Sequence, residues 1–401
     1  MKLYQHQIKF LRENPNKSAL IWSCGTGKTR TALEWSKVTG LSTLVICPKS
    51  LRTNWMREAK KWGADVVVMT KETFRKEAKG LRKFGQVIVD ECHAGFLTPH
   101  FKSQMSRSLR NYLKVNEIER ILLLSATVYT SSPWNIFNLA FYLGHKWNWQ
   151  KFNFEYFNQV RMGMRIIPIP KKGCEKKLAQ KTKQFANVVD IHDCMDVPEQ
   201  LHTDPEYFSL TEKQKQAIKE NYNTIPIVRF THQHEIENGI LIGDEFNENK
   251  TYESDKNERI IALCEENSKV AIICRYNTQI DYLAQILAKY RPFIIRGDVK
   301  NRDKVCLEAE KAQKAIVLIQ ADSCLGYQLP SFELCVFVSM SYSYVNYEQM
   351  CGRFLRMDKP SRTTFIYLLT EGNSVDQAVY DAVKAKEDFS IELYAKKRST
   401  V

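Results

Sequence analysis

The 401-residue sequence contains no apolar run approaching the ~18–20 residues that cross a bilayer. Its opening, Met1-Lys2-Leu3-Tyr4-Gln5, lacks the apolar core of a secretory leader, so no signal peptide is expected. Eleven cysteines are scattered without a single C-x-x-C pair, which argues against a disulfide framework and for reduced thiols in a cytoplasmic setting. Histidine is scarce, and His192, His202, His232 and His234 form no metal-spaced set with Cys194, which argues against zinc. Acidic charge is sparse at the start: residues 1–150 hold 24 Lys and Arg against 10 Asp and Glu, a surplus equal to the whole chain's +14. That basic part points to a polyanionic partner, nucleic acid foremost, with plain solubility as the bland alternative. With 44% hydrophobic residues, the chain can bury two cores of ordinary size.

What is present is organised around Ser23-Cys24-Gly25-Thr26-Gly27-Lys28-Thr29. An apolar run, Ala19–Trp22, precedes it and a helical pattern, 30–38, follows. Strand, glycine loop and helix are the context in which backbone N–H groups and a helix N-terminus hold phosphate oxygens. Lys28 would reach the β- and γ-phosphates and the Thr29 hydroxyl would bind Mg²⁺. The full phosphate-loop pattern wants glycine at 22, where this chain has Trp22, and a chance turn is the alternative. Before the loop, Leu3-x-x-His6-Gln7 and Phe10-Leu11 open an amphipathic helix. It either caps the sheet or presents the Gln7 amide to an adenine edge.

Thr43–Cys47 and Asp65–Met69 are further strands, leading into Pro48-Lys49-Ser50-Leu51-Arg52-Thr53-Asn54-Trp55 and Thr70. Ligands in open α/β sheets sit beyond strand C-termini, so both loops suit contacts to a phosphate backbone; simple solvated loops are the alternative. Gln86-Val87-Ile88-Val89 delivers Asp90-Glu91-Cys92-His93 to the same edge. Asp90 can hold Mg²⁺ through water, and Glu91 can orient and polarise an attacking water. Ile121–Leu124 ends in Ser125-Ala126-Thr127, whose hydroxyls can bond His93 or merely cap the next helix.

Residues 127–269 are too many for a loop. An aromatic series at 134, 137 and 141 reads as a helix face in the core. Residues 151–183 carry nine Lys and Arg, whereas 184–210 carry none and six acids. The basic stretch can line a nucleic-acid groove or form a solvated helical protrusion. Composition thus suggests a first domain over 1–150, a helical basic insertion and linker over 151–205, and a second domain over 206–401.

From Lys269 the strand–helix alternation returns at Val270–Cys274, Phe293–Arg296, Ala315–Ile319, Leu334–Val338 and Thr364–Leu368, a second open α/β sheet without a phosphate loop. Gln349-Met350-Cys351-Gly352-Arg353-Phe354-Leu355-Arg356 would put Gln349, Arg353 and Arg356 on one helix face. Two such guanidiniums can clamp a γ-phosphate; ordinary surface arginines are the alternative.

As an ordered set, Gln7, Gly25-Thr26-Gly27-Lys28-Thr29, Asp90-Glu91-Cys92-His93, Ser125-Ala126-Thr127 and Gln349-x-x-Gly352-Arg353-x-x-Arg356 resemble motifs Q, I, II, III and VI of the superfamily 2 helicases. Within these the chain most resembles the Swi/Snf-type DNA translocases, through Cys47–Trp55, Leu210-Thr211-x-x-Gln214, Arg296-Gly297-Asp298 and Leu325-Gly326-Tyr327-Gln328-Leu329. It departs from them in Ser-Ala-Thr for Thr-Gly-Thr, in Asp322-Ser323-Cys324 where glycines are common, and in Gly352-Arg353 for Asp-Arg. The resemblance implies an α/β chain of two RecA-like open parallel-sheet domains with a helical insertion between motifs III and IV. It implies ATP and Mg²⁺ as cofactors, with Gln7, Ser23, Cys24, Gly25, Thr26, Gly27, Lys28 and Thr29 around the nucleotide and Thr29 and Asp90 on the metal. Glu91, Gln349, Arg353 and Arg356 would serve catalysis, and His93, Ser125, Thr127 and Gly326 coupling. Nucleic-acid contacts would come from Lys49, Ser50, Arg52, Asn54, Thr70, Arg275, Asn277, Arg296 and Gln320. The expected activity is a minimal, monomeric, cytoplasmic motor of bacterial or phage type on DNA, duplex favoured. A single-strand or RNA unwinder and a non-moving ATP-gated clamp remain alternatives, with a P-loop kinase as the remote one.

Overall fold

Strands that are apolar at every position need cover on both faces, and both halves of the chain are built that way. The computed structural model describes residues 2–98, 103–126, 132–162, 165–194, 200–221, 225–245, 247–299, 301–324, 326–355 and 362–399. The chain divides into two compact units, Met1–Asp196 and Val197–Val401. Among the described residues no helix is long and apolar enough to cross a membrane.

In the first unit β1 (Lys17–Trp22), β2 (Thr43–Cys47), β3 (Val66–Thr70), β4 (Gln86–Val89) and β5 (Arg120–Ser125) are joined by helices. An antiparallel hairpin, β6 (Phe157–Met162) and β7 (Arg165–Pro170), follows, and β8 (Asn187–Val189) returns to the sheet. The order is β3-β2-β4-β5-β1-β8, and every pair is parallel. The two-residue period of a strand splits its apolar residues between two cores. Ile21, Ile46, Val89 and Leu123 join one with Phe74, Leu109 and Trp134; Leu20, Trp22, Val45, Ile88 and Leu122 join the other with Phe10, Trp35 and Trp55. Of the aromatic series after 133, Trp134 is buried in the core, stacked on Trp149 at 3.7 Å, and Phe137 packs against it. Phe141 is exposed beneath the Arg110 guanidinium, so the expected core face stops short of 141.

Composition suggests an insertion and linker over 151–205, yet residues 151–194 fold with the first unit. Without β8, the buried strand β1 would present an open edge of backbone donors and acceptors. Asn187 closes it further, accepting from Trp22 Nε1 at 2.7 Å.

The second unit adds β9 (Leu201–His202) and β10 (Glu206–Phe208), then an antiparallel pair, β11 (Ile240–Leu241) and β12 (Lys250–Thr251). Its sheet continues with β13 (Lys269–Cys274), β14 (Phe293–Ile295), β15 (Ala315–Gln320), β16 (Leu334–Phe337) and β17 (Thr364–Thr370). The order is β10-β17-β16-β13-β15-β14, with β9 also pairing with β17, and all these pairs are parallel. Again alternate residues divide between two cores, Ala271, Ile273, Val317 and Phe337 against Val270, Ile272, Leu318 and Val336.

A buried polar cluster ties the helices of this unit to its sheet. Asp376 accepts from Lys256 Nζ at 2.5 Å, Asn238 Nδ2 at 2.9 Å and Thr370 Oγ1 at 3.0 Å, and lies 3.0 Å from His234 Nε2. Glu235, on the same helix as His234 and accepting from Ile242 N–H at 3.1 Å, has its carboxyl pushed up to about 7 by burial. The folded chain therefore binds that proton more tightly than the unfolded one. Its stabilising effect is complete at low pH and is lost as pH rises from the ordinary carboxylate range through about 7. Glu235→Gln is expected to raise the unfolding free energy by ~1–3 kcal/mol at pH 8 and hardly at all at pH 5, as read from urea melts at both pH values.

Candidate functional site

At the C-terminal edge of the first sheet, β1 runs into the glycine loop and β4 into Asp90-Glu91, with β5 between them. The loop turns because Gly25 and Gly27 adopt φ of +85° and +83°, the left-handed region that suits glycine. A side chain at Gly27 would also strike Gln7 Nε2. Gln7 is buried against the loop: Nε2 donates to the carbonyls of Thr26 (3.4 Å) and Gly27 (3.3 Å), and Oε1 accepts from Tyr4 N–H at 2.9 Å. Its amide thus supports the loop from the capping helix. Thr26 Oγ1 donates to Ser23 O at 2.7 Å, and Ser23 N–H donates to Val189 O at 3.0 Å, so β8 fixes where the loop begins. Ile191, just after β8, packs where a side chain on Gly25 would sit. Cys24 is half-buried in the loop. Lys28 opens the helix Lys28–Lys37, and its Nζ donates to the carbonyls of Trp22 (2.6 Å) and Ser23 (3.2 Å), which keeps the ammonium against the loop. Thr29 follows in the first helical turn.

Asp90 and Glu91 are each 6% exposed. Asp90 continues the sheet through N–H to Ile46 O at 2.8 Å, and its Oδ2 accepts from the buried Trp55 indole at 2.7 Å. Burial foremost, then the neighbouring Glu91 charge, raises its carboxyl to about 6, while the Trp55 bond and the Lys28 charge oppose the rise. Glu91 has φ +46°, a left-handed conformation that costs a non-glycine residue ~1–2 kcal/mol. Cys92 N–H donates to Leu124 O at 3.0 Å, tying the turn to β5. His93 Nδ1 lies 2.8 Å from Ser125 Oγ and 3.3 Å from Glu91 Oε2. Burial and then the Lys71 charge lower its pKa to about 3, so the imidazole is neutral at ordinary pH. A carboxylate, a neutral imidazole and a hydroxyl therefore form one chain of contacts across β4 and β5.

Around this edge, Lys49 and Arg52 are exposed on the turn after β2, with Ser50 and Asn54 half-buried. Asn54 accepts from Arg57 at 2.7 Å. Thr70 caps the helix Lys71–Glu77, accepting from Thr73 N–H at 3.1 Å.

In the second unit the helix Tyr344–Cys351 stops before Arg353, correcting the expectation of one continuous helical face. Gly352 weakens the helix, and Phe354 and Leu355 turn into the core. Leu329 N–H takes the Arg353 carbonyl at 2.9 Å, while Arg353 NH1 donates to Tyr327 O at 3.3 Å. Gln349 Oε1 lies 3.2 Å from Cys324 Sγ. Gly326, at φ +94°, opens the loop they hold. Arg275 packs on the Tyr342 ring at 3.4 Å and lies 3.7 Å from Asp322. Asn277 begins the helix Asn277–Ile286. Arg296 is paired with Asp281 at 2.6 Å and Asp298 at 2.9 Å, and the Gln320 amide accepts from Ser323. Thr127 and Arg356 lie outside the described residues.

Trp55 enters the sequence pattern only as the end of the Cys47–Trp55 stretch and β8 only as part of the 151–205 insertion, with no site role for either or for Lys71. Trp55 carried a faint signal as an aromatic at the strand-end loop; Lys71 and β8 carried none.

Residues 2–133 match the DEAD/DEAH box helicase family and residues 255–358 the helicase conserved C-terminal domain, together more than half of the chain. No curated protein sequence matches. Among solved structures, the Sulfolobus solfataricus SWI2/SNF2 ATPase core in complex with dsDNA is similar at 14% identity and a TM-score of 0.43, over 99% of this chain and 93% of that one.

Trp55→Phe keeps the aromatic packing but removes the indole donor from Asp90. It is expected to destabilise the fold by ~1.5–3 kcal/mol, the scale of a hydrogen bond to a charged group. The Asp90 carboxyl, which the indole bond holds down, should also move up, as read from its carboxyl carbon resonance in a pH titration.

Proposed function

We propose that this chain, which belongs to the superfamily 2 helicases, uses ATP hydrolysis to travel along double-stranded DNA. Helicases of this family hydrolyse ATP, and two parallel-sheet α/β units are the fold that work requires. The observation that carries the reading for this chain is the convergence of the Lys28 loop and the Asp90–Glu91 turn on one sheet edge, with His93 and Ser125 in contact beside them. The donor set fits a hydrated divalent cation: a buried carboxylate, a second one beside it and a threonine in the first turn of the helix that follows the loop. Thr29 and Asp90 would hold Mg²⁺, which when bound neutralises phosphate charge. Lys28 and the loop amides bind and orient the phosphates. Glu91 orients the water and takes up its proton, and the His93–Ser125 pair fixes the direction of the Glu91 carboxylate. The motif resemblance assigns phosphate clamping to Arg353 and Arg356. Arg353, buried and donating to the Gln349 and Tyr327 carbonyls, would have to give up those bonds to take part, so the role falls foremost to Arg356.

Support for DNA as the track comes from the motif order, from the excess of positive charge in residues 1–150, and from exposed Lys49 and Arg52 at the strand ends. Arg296 and Asn54, with their groups already paired, contribute less than the sequence suggests.

The test is steady-state ATP hydrolysis alone and with duplex DNA, single-stranded DNA or RNA at one fixed salt concentration, since phosphate contacts depend steeply on ionic strength. Duplex DNA is expected to stimulate most. Stimulation by single strands or RNA alone would instead assign an unwinding helicase, and turnover indifferent to all three would remove the motor reading. Lys28→Ala and Glu91→Gln should each abolish hydrolysis while retaining cooperative unfolding, whereas Arg356→Ala should retain nucleotide binding and lose turnover; an unchanged kcat would exclude its clamping role.

A further inference from the structure

We infer that Lys71, which belongs to none of the motifs, is a positioning residue that holds the Glu91 turn in its reactive conformation. Lysine is among the residue types least often buried, yet Lys71 is 4% exposed. It is the first residue of the helix that follows β3, two strands away from β4 in the sheet. From there its Nζ donates to the carbonyl of Glu91 at 2.7 Å and to that of Ala94 at 3.0 Å, with the Phe96 ring 5.5 Å away. The two carbonyls bracket Cys92 and His93. One amine therefore closes the turn whose first residue, Glu91, stands at φ +46°.

That conformation persists only where the surroundings over-determine it. Asp90 N–H to Ile46 O and Cys92 N–H to Leu124 O tie the flanking residues to β2 and β5. Neither bond engages the Glu91 carbonyl, whose orientation follows ψ of the same residue. Lys71 does, and so does Ala94 N–H at 3.0 Å within the turn itself. A side chain rooted in another strand–helix unit thus sets the peptide plane after Glu91, and with it the direction of the carboxylate toward His93. Because the amine meets main-chain carbonyls, it acts through Glu91.

The inference rests on the ATPase reading, in which Glu91 orients the water. Lys71→Met keeps the length and apolar body of the side chain and removes the donors. Wild type, Glu91→Gln and Lys71→Met are compared in kcat and KM for ATP, in affinity for a fluorescent ADP, and in cooperative unfolding. The expected result is a fall in kcat of at least about tenfold in Lys71→Met, the scale of a modest misplacement of a reacting group. KM, ADP affinity and the cooperativity of unfolding should stay close to wild type. Lys71→Gln, with a shorter donor, should recover part of the loss. A wild type without ATPase activity would remove the functional reading itself. Full turnover in Lys71→Met beside an inactive Glu91→Gln would overturn the positioning role alone. Parallel loss of turnover, ADP affinity and cooperative unfolding in both Lys71 variants would assign the residue to the fold and overturn the role as well.

Discussion

Asp90 and Glu91 place two carboxyl groups next to each other in a turn almost closed to solvent, and such a pair exists only where neighbouring donors compensate its charge. The compensation is distributed. Trp55 comes from the helix after β2, Lys71 from the helix after β3, Lys28 from the loop after β1, and Ser125 from the end of β5. Every strand around β4 therefore contributes a side chain to the turn, and the parallel arrangement is what makes this possible, because all their C-terminal ends lie on one edge. The raised Asp90 carboxyl shows that the compensation is incomplete in the protein alone.

The second unit solves a related problem with its polarity reversed. Asp376 is buried with Lys256 and His234, and here burial raises its pKa while the Lys256 charge and the His234 hydrogen bond lower it, with the net result below the ordinary range. A fully satisfied carboxylate of this kind joins helices firmly, since removing one partner strands the other charge. Its depressed pKa stabilises the fold above the ordinary carboxylate range and fails only on strong acidification. Glu235, satisfied by one backbone donor, goes the opposite way. The same residue class thus stabilises or strains the unit according to the number of donors it meets.

Much of this was legible in the sequence, for identifiable reasons. The central strands of both sheets are apolar at consecutive positions, and burial on both faces makes such runs conspicuous. The glycine loop and the Asp-Glu pair are adjacent residues whose context is local. What stayed hidden depends on distant partners. β8 has three residues and is defined by pairing with β1, so no local pattern announces it. The end of the helix before Arg353 is set by where Phe354 and Leu355 bury, which overrides the i, i+4 spacing. Lys71 looks like any basic residue in a sequence with 59 of them. Only its placement, with a carbonyl at each end of a strained turn, separates it from the rest.

That placement also bears on what a motif is. Asp90-Glu91-Cys92-His93 is four residues long, but its geometry belongs to a larger set: Ile46 and Leu124 align the backbone, Trp55 directs the first carboxylate, and Lys71 reaches the carbonyl of the second. Lys71 stands next to Thr70, whose hydroxyl caps the same helix. The strand end expected to meet a phosphate backbone and the turn that carries the Glu91 carboxylate are therefore separated by one peptide bond and one side chain. In a parallel sheet this proximity follows from topology, because β2 lies between β3 and β4 and a lysine is long enough to cross its end.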